Sequence, residues 1–191
     1  SSVRRIVRKH KLQNVRLYGK KYWAKNNPRR PLANAPGELV EVDTVFLMNH
    51  FGGQNLYITN VIDVYTRMTH SRVDYAYSQT STAQTVLEAQ KMFNFKFKMV
   101  QCDNGREFGE RFKQILDKND IQIRHTRVRR PNDNAHIERF NRTMRDELIG
   151  PYTGRGLEEI SKSIREYLIY YNYARIHTTL RMTPIQMLQS C

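Results

Sequence analysis

The sequence predicts an α/β fold in which helices flank a mixed five-stranded sheet. Three strand-like runs come first, between residues 39 and 77, and two further short apolar runs alternate with helical segments after them. Hydrophobic residues make up 39% of the chain and charged residues 26%, so a core can form. Strands that are followed by alternating helices and strands are typical of a layered α/β domain.

A basic helix is predicted at the start of the chain, over residues 1–12. Its valines and isoleucine form an apolar stripe. Four basic residues occupy the other face: Arg4, Arg5, Arg8 and Lys9. This pattern is typical of the last helix of a helix-turn-helix domain, where such residues contact DNA, and a frayed helix at the edge of the chain is the alternative. Residues 13–37 are polar, basic and interrupted by prolines, which indicates an extended linker before a domain over residues 38–191.

The first three strands are predicted from runs rich in valine, leucine, isoleucine and aromatic residues. They cover residues 39–48, 56–64 and 68–77, and Gly52-Gly53 marks the turn between the first two. Because only short turns separate the runs, we expect an antiparallel meander.

Helices and strands alternate after the third strand. A helix is predicted over residues 78–93, where serine and threonine caps precede helical spacing, and a short buried strand follows over residues 98–102. An amphipathic helix is predicted over residues 106–119, and the fifth strand covers residues 121–125.

The last part of the chain is predicted to be helical. A basic loop over residues 126–133 leads into a long helix from about residue 134 to 149, and a second helix covers residues 157–173. A short helix follows Thr183-Pro184. This order of elements matches a ribonuclease H-like fold, which does not by itself give a function.

The charge of the chain is large and unevenly distributed. There are 32 lysine and arginine residues against 18 aspartate and glutamate residues, a formal net charge of +14. Residues 1–37 hold eleven of the basic residues and no acidic one, so the remainder is nearly balanced. A basic arm indicates a polyanionic partner, most often nucleic acid, and a solubilising tail is the alternative.

The composition also bears on location. No apolar run approaches the length of a membrane-spanning helix, and the basic first residues do not precede the apolar stretch of a signal peptide. Two cysteines are too few for a disulfide framework. We therefore expect a soluble protein of a reducing compartment, with no membrane partner.

Three acidic residues lie where acids are locally unfavourable. Asp43 interrupts an apolar strand, Asp103 follows another, and Glu138 lies in the first turns of the helix after the basic loop. An ionised carboxylate beside a hydrophobic strand costs free energy unless it has a partner. Mg²⁺ prefers carboxylate oxygens, and two such ions roughly 3.5–4 Å apart clamp the attacking and leaving oxygens of a phosphoryl displacement.

Each acid taken alone has a structural alternative. Asp43 fits an edge-strand acid that faces solvent. Asp103 fits a turn that it forms with Asn104 and Gly105, since all three residue types favour turns. Glu138 fits an acid that stabilises the positive end of a helix dipole.

Three strings of the sequence resemble a known family. CDNGREF (102–108), RRPNDNAHIERFNRTMRDEL (129–148) and YNYARIHTTLRMTP (171–184) resemble the catalytic core of DDE transposases and retroviral-type integrases. The match is closer to bacterial insertion-sequence transposases. Asp103 and Glu138 are separated by 34 residues, one fewer than in the retroviral pattern.

The resemblance implies a catalytic and metal-binding triad of Asp43, Asp103 and Glu138. It implies Mg²⁺ or Mn²⁺ as cofactor, with two ions in the presence of DNA, and double-stranded DNA as partner, both element ends and target. It further implies a homo-oligomer on DNA and a bacterial, cytoplasmic protein associated with the nucleoid.

The residues around the triad are compatible with that assignment. Thr44 is placed to orient Asp43 by hydrogen bonding, or is simply a β-former in its strand. Gly105 lets the backbone turn directly after Asp103 and Asn104. Asp133 or Asn134 is predicted to cap the helix that carries Glu138.

Arginines extend from the predicted triad. Glu138, Arg142 and Arg145 share one helix face by their spacing, so two guanidinium groups lie along the side of the catalytic acid. We expect DNA contacts from the helix and the preceding basic loop. The residues concerned are Arg127, Arg129, Arg130, Arg139, Arg142 and Arg145. An ordinary ion pair between Arg142 and Glu138 is the alternative.

Three hypotheses follow from the sequence. The leading one is a DDE transposase or integrase fragment that cleaves DNA at element ends and transfers the strands into target DNA. The second is a catalytically silent, DNA-binding transposase that acts as a repressor or assembly subunit. The third is a ribonuclease H-like nuclease that hydrolyses without joining.

Overall fold

The computed structural model describes residues 31–47, 55–75, 77–127, 131–149 and 156–191, all within one compact unit, Pro31–Cys191. The predicted N-terminal helix with its four basic residues, most of the predicted linker, and the turn at Gly52-Gly53 lie outside the described residues, as do Arg129 and Arg130. Within the described ranges, no helix combines the length and apolar character of a membrane span.

Five strands form one mixed sheet, as predicted. They are β1 (Val40–Leu47), β2 (Leu56–Asp63), β3 (Thr69–Asp74), β4 (Met99–Cys102) and β5 (Gln122–His125), in the order β3-β2-β1-β4-β5. The first three strands pair antiparallel, which confirms the predicted meander. Strand β4 pairs in parallel with β1, and β5 pairs in parallel with β4. The third strand is shorter than predicted.

Five α-helices accompany the sheet in the described residues. They are α1 (Gln79–Phe93), α2 (Glu110–Asp117), α3 (Ala135–Met144), α4 (Leu157–Ile169) and α5 (Pro184–Gln189). The predicted serine cap is confirmed at Ser78, whose side chain accepts a hydrogen bond from the Ser81 amide at 3.1 Å. Thr183 caps α5 in the same way, with Pro184 at the first helical position.

The predicted helix over residues 106–119 is wrong at its start. A 3₁₀ turn, Arg106–Phe108, comes first, and α2 begins only at Glu110. Gly109 between them has an extended backbone, with φ −77° and ψ −161°, which interrupts the helical hydrogen bonding. The helices α3 and α4 likewise do not run on as α-helix, because π-helical turns follow them at Arg145–Ile149 and Tyr170–Ala174.

Two apolar clusters lie on the two faces of the sheet. Alternation along β1 sends Val40 and Val42 into the cluster that α1 and α2 cover, and Val45 into the cluster that α3 and α4 cover. Phe112 of α2 and Phe140 of α3 are almost fully buried in these clusters. Each such side chain stabilises the fold by roughly 1.5–3 kcal/mol through the apolar surface it removes from water.

The start of β1 is tied to the end of β2 by a buried carboxylate. Asp63 accepts hydrogen bonds from the amides of Gly37 at 2.9 Å and Thr66 at 2.7 Å, and from the Thr66 hydroxyl. Gly37 has a φ of +76°, which a residue with a side chain adopts only with strain. Asp63 therefore has a structural role here.

Candidate active site

Strand pairing places Asp43 beside Asp103. In the parallel pair of β1 and β4, Glu41 lies beside Gln101. Continuing that register by two residues carries Asp43 to the level of Asp103, which directly follows β4. Two of the three predicted acids thus lie side by side, Asp43 in the middle of β1 and Asp103 just after the end of the parallel strand β4.

Asp43 is held by a chain of two side-chain amides. Asn141 of α3 donates to Asp43 Oδ2 at 2.7 Å, and the fully buried Asn60 of β2 donates to Asn141 Oδ1 at 2.8 Å. Asn60 lies opposite Asp43 in the antiparallel pairing. The sequence analysis did not single out either asparagine, because their contacts join residues more than 80 positions apart.

The pKa of Asp43 is raised to about 6. Burial is the main cause, and the neighbouring carboxylates of Asp103 and Glu107 add to it. Hydrogen bonds from the Thr44 amide and the Asn141 side chain oppose the shift. A group of close carboxylates is an arrangement that a cation would stabilise.

Asp103 is solvent-exposed and lies in the tight turn expected from the sequence. Its Oδ1 accepts a hydrogen bond from the Gly105 amide at 2.6 Å, and its backbone oxygen lies 2.8 Å from the His125 Nδ1. Asn104, between Asp103 and Gly105 in the turn, is exposed.

Glu107 is an acid near the site that sequence reasoning missed. Its side chain is buried, with 5% of the residue exposed, and the Tyr77 hydroxyl donates a hydrogen bond to its Oε2. The only signal in the sequence is an acid four residues after Asp103 and directly before the buried Phe108. Spacing alone does not distinguish it from an exposed helix residue.

Glu138, the third predicted acid, is not among the carboxylates that raise the pKa of Asp43. It is exposed in the first turn of α3, and partial burial and the Glu41 carboxylate raise its pKa while Arg142 lowers it. Among the described residues, no group of three or more histidine, cysteine, aspartate or glutamate side chains is arranged to hold a metal ion. Asp103 and Glu107 lie near enough to Asp43 for their charges to raise its pKa beyond the effect of burial, and Glu138 lies one helical turn from Asn141, the residue that holds Asp43.

The N-cap of α3 is at one of the two predicted residues, but its side chain does not do the capping. Asn134 occupies the N-cap position but its side chain makes no capping hydrogen bond. The fully buried Glu41 of β1 caps the helix instead, since its Oε2 accepts from the amides of His136 at 3.0 Å and Ile137 at 2.9 Å. Such a cap stabilises a helix by roughly 1 kcal/mol, and it fixes the start of α3 to β1 two residues from Asp43.

Asp133, the other predicted cap, holds the preceding loop. It accepts hydrogen bonds from the Arg127 amide, Nε and Nη2 at 3.1, 2.8 and 2.7 Å. These bonds to Arg127 lower the pKa of Asp133 to about 2. Arg124 is also buried beside Asp133 and Gln101, so it does not extend a positive surface.

The predicted role of the Thr44 side chain is not observed. Its hydroxyl lies 3.5 Å from that of Thr59, and the bond from Thr44 to the Asp43 carboxylate comes from the backbone amide. Residues 43 and 44 point to opposite faces of the sheet because side chains alternate along a strand. Thr44 therefore fits the alternative of a β-former in its strand.

Three predicted DNA-contact arginines are exposed on one helix. Arg139, Arg142 and Arg145 lie on and just after α3, at spacings of three residues. Arg127 is paired with Asp133, which leaves less of its charge available to a ligand.

Family comparison matches nearly the whole described unit. Two models described as integrase core domain match residues 33–131 and 119–184, and the first covers more than half of the chain. A protein designated a transposase, InsK, of insertion sequence element IS150 from Escherichia coli strain K12 is 27% identical over 165 residues, 81% of this chain and 55% of that protein. An uncharacterized 31.7 kDa protein of insertion element IS407 from Burkholderia multivorans is 28% identical, over 78% of this chain and 54% of its own. The chain spans about half the length of these relatives.

Solved structures share the fold at lower identity. The simian T-cell lymphotropic virus intasome gives a TM-score of 0.72 at 12% identity, over 86% of this chain and 59% of that one. The HTLV-2 integrase catalytic core in complex with magnesium gives 0.65 at 14% identity, over 82% and 99%. At such identities the likeness shows the fold alone, and it confirms the predicted ribonuclease H-like architecture.

Proposed function

The chain belongs to the integrase core domain family, and we propose that it is the catalytic core of a transposase that cleaves DNA at element ends and joins the strands to target DNA. The observation that supports this most is that Asp43 of β1 and Asp103 just after the parallel strand β4 are neighbours, with the Asp103 carboxylate helping to raise the pKa of Asp43. The two relatives from bacterial insertion elements favour a transposase.

Mg²⁺ or Mn²⁺ fits the carboxylate donors of Asp43 and Asp103. The side chains offer hard carboxylate oxygens, and burial, together with the neighbouring carboxylates, raises the pKa of Asp43. Mg²⁺ is commonly held by one or two carboxylates with water and substrate phosphates, so Asp43 and Asp103 are a sufficient protein contribution before Glu138 joins them. The viral neighbour described in complex with magnesium supports the same choice.

The proposed catalytic residues have distinct tasks. Asp43 and Asp103 hold the metal, and Glu138 completes the site when DNA docks along α3. Divalent ions held by these residues, two in the presence of DNA, would supply the activation of a water or 3′-hydroxyl and the stabilisation of the leaving oxygen. Asn141 keeps the Asp43 carboxylate oriented, and the Glu41 cap keeps α3 against β1.

The exposed arginines of α3 are the proposed contacts to the DNA backbone. Arg139, Arg142 and Arg145 lie on the helix that carries Glu138, so a duplex bound there places a phosphate near the acids. Further contacts are proposed from Arg127, Arg129 and Arg130 in the loop and from the basic N-terminal residues Arg4, Arg5, Arg8 and Lys9.

Assembly and location are proposed on the same basis. The chain acts as a homo-oligomer on paired DNA ends, as suggested by viral neighbours described as an intasome and as trimeric and dimeric cores. A bacterial cytoplasm with association to the nucleoid fits the insertion-element relatives. The division into a basic helix of helix-turn-helix type (residues 1–12), a linker (13–37) and a catalytic core (38–191) is part of the proposal.

A cleavage and joining assay tests this function. A labelled duplex with the element's terminal sequence is incubated with the protein and Mg²⁺, beside Asp43→Asn, Asp103→Asn and Glu138→Gln. We expect cleavage and joined products with the wild type and neither product with any variant. Cleavage without joining would instead indicate the nuclease, and retained activity in one variant would remove that residue from the triad.

One observation favours the catalytically silent alternative. Glu138 is not among the carboxylates that raise the pKa of Asp43, and besides partial burial its own pKa responds to Glu41 and Arg142. Binding of the wild-type chain to DNA ends, with no cleaved or joined product in Mg²⁺ or Mn²⁺, would establish the silent alternative.

A further inference from the structure

Glu107 is a buried acid whose charge lacks an obvious counterpart. It is 5% exposed and lies on the 3₁₀ turn that follows Asp103, Asn104 and Gly105. Its hydrogen bond comes from the neutral hydroxyl of Tyr77, and no ion pair to it is found within the described residues. A buried carboxylate that faces other carboxylates costs free energy unless a cation compensates it.

The carboxylates of Glu107 and Asp103 meet over Gly105. A Cβ placed on Gly105 would lie 2.7 Å from Glu107 Cδ and 2.9 Å from Asp103 Oδ1, closer than atoms pack. Both acid groups therefore occupy the space beside a glycine that has no side chain. Gly105 has an ordinary extended backbone, with φ −63°, so its role here is the room that it leaves.

Tyr77 is fixed on the far side of Glu107. Its ring packs on Tyr57 with centroids 5.0 Å apart, and Tyr57 packs on Phe46 at 5.4 Å. A row of rings from β1 and β2 thus supports the hydroxyl that holds Glu107 Oε2. The Tyr77 hydroxyl thus holds Glu107 Oε2 beside Gly105, next to the Asp103 carboxylate.

We infer that Glu107 is a fourth carboxylate of the site, which accepts hydrogen bonds from water molecules bound to the divalent cation that Asp43 and Asp103 hold. This inference rests on the proposed function. Mg²⁺ keeps several of its waters, and acceptors placed around such a ligand shell raise metal affinity. Glu107 is a positioning residue in this account, since it orients water and does not touch the reacting phosphate.

Metal titration separates this role from a purely structural one. Mn²⁺ binding is measured by calorimetry on the chain in complex with a DNA duplex, for the wild type, Glu107→Gln and Glu107→Asp. Glutamine has the same shape and still accepts the Tyr77 hydrogen bond, but it removes the charge. Aspartate keeps the charge but is too short to hold that bond in place.

We expect Glu107→Gln to weaken Mn²⁺ affinity by about ten-fold or more, and Glu107→Asp to weaken it less. Glu110→Gln, a change of an exposed acid three residues further on, serves as the matched control and should bind like the wild type. The opposite order, with Asp weaker than Gln, would show that the Tyr77 bond and not the charge matters, and would overturn the inference.

Two further outcomes are decisive. Unchanged affinity in Glu107→Gln, with binding lost in Asp43→Asn, would refute the role of Glu107 and leave the proposed function intact. Absence of Mn²⁺ binding to the wild type would refute the metal-dependent function itself.

If Glu107→Gln loses its cooperative thermal transition, Tyr77→Phe replaces it, because this variant keeps the charge. Affinity within about three-fold of the wild type is then expected, and a ten-fold loss would contradict the inference.

Discussion

Two opposing sets of interactions act on the pKa of the Asp43 side chain. Burial and the carboxylates of Asp103 and Glu107 favour its protonated form, whereas the amide of Thr44 and the Asn141 side chain favour its charged form. The first set prevails, because the pKa lies about two units above the unfolded value of 3.8. The site is thus electrostatically strained unless a proton or a cation is present.

This strain predicts that Asp43→Asn is more stable than the wild type at neutral pH without metal. A raised folded-state pKa stabilises the fold below the unfolded value, and that contribution disappears as pH rises from about 4 through 6. Two units correspond to at most about 3 kcal/mol. Urea denaturation at pH 7.5 and pH 4 measures the difference, which should be largest at pH 7.5 and small at pH 4.

Mn²⁺ supplies the control for that experiment. Saturating Mn²⁺ should stabilise the wild type and leave Asp43→Asn unchanged. The difference in free energy of unfolding between the two proteins at pH 7.5 should therefore become smaller. An Asp43→Asn variant that is less stable than the wild type at pH 7.5 would show that the carboxylate is not strained.

The sequence could predict residues that are unusual in their local sequence, such as an acid beside an apolar strand. It could not predict the residues that contact them from distant segments. Asp43 and Asp103 stand out because each interrupts or follows an apolar strand. Asn60, Asn141 and Glu41 act through contacts between distant segments, and no local pattern marks them. Glu41 illustrates the reason, since a glutamate in a strand normally faces solvent and here it caps α3.

At the scale of elements, the turn between β4 and α2 decides how close the acids come. It includes the Asp103 turn, Gly105, the 3₁₀ turn with Glu107 and the break at Gly109. Sequence periodicity predicted one helix here because Phe108 and Phe112 share a spacing that suits a continuous helix. The extended Gly109 separates the two residues into different elements while both stay buried.

Gly105→Ala is predicted to disrupt this turn without straining its backbone. The added methyl group would overlap the Glu107 and Asp103 carboxyl groups, so one of them must move. We expect Mn²⁺ affinity to fall by about ten-fold, as for other losses of support around a metal site. Calorimetry on the DNA complex measures it.

Gly156→Ala is the matched control for that variant. Gly156 also has a negative φ, −71°, and nothing lies within 4 Å of the place where its Cβ would be. Its Mn²⁺ affinity should equal that of the wild type. Equal affinities in both alanine variants would show that the space beside Gly105 is not needed for the metal.

At the scale of the molecule, the sheet separates two layers with different tasks. The layer of α1 and α2 completes one apolar cluster, while the layer of α3 and α4 carries Glu138, Asn141 and the exposed arginines. The antiparallel meander, the mixed five-stranded sheet and the flanking helices followed from the pattern of the sequence. The π-helical turns did not, because they depend on how each helix end packs.

Charge on the α3 layer predicts a salt-dependent contribution to DNA binding. Replacing Arg139, Arg142 and Arg145 with alanine should reduce the slope of log affinity against log salt by about 2 to 3, since each phosphate contact contributes about 0.9. Fluorescence anisotropy with a labelled duplex at several salt concentrations measures the slope.

Exposed lysines of the opposite layer provide the comparison for that slope. Lys91, Lys113 and Lys118 carry the same total charge on and beside α1 and α2. Their replacement with alanine should leave the slope within about 1 of the wild type. An equal reduction in both triple variants would indicate a diffuse effect of net charge, and not a docking face on α3.

The most direct test of the account is the anomalous scattering of Mn²⁺ in crystals of the protein with a DNA duplex. We predict a peak at about 2.1 Å from carboxylate oxygens of both Asp43 and Asp103, with the Glu138 side chain turned towards it. Electron density for DNA along α3 without a Mn²⁺ peak at Asp43 and Asp103, or with the peak at other residues, would contradict the proposed catalytic site.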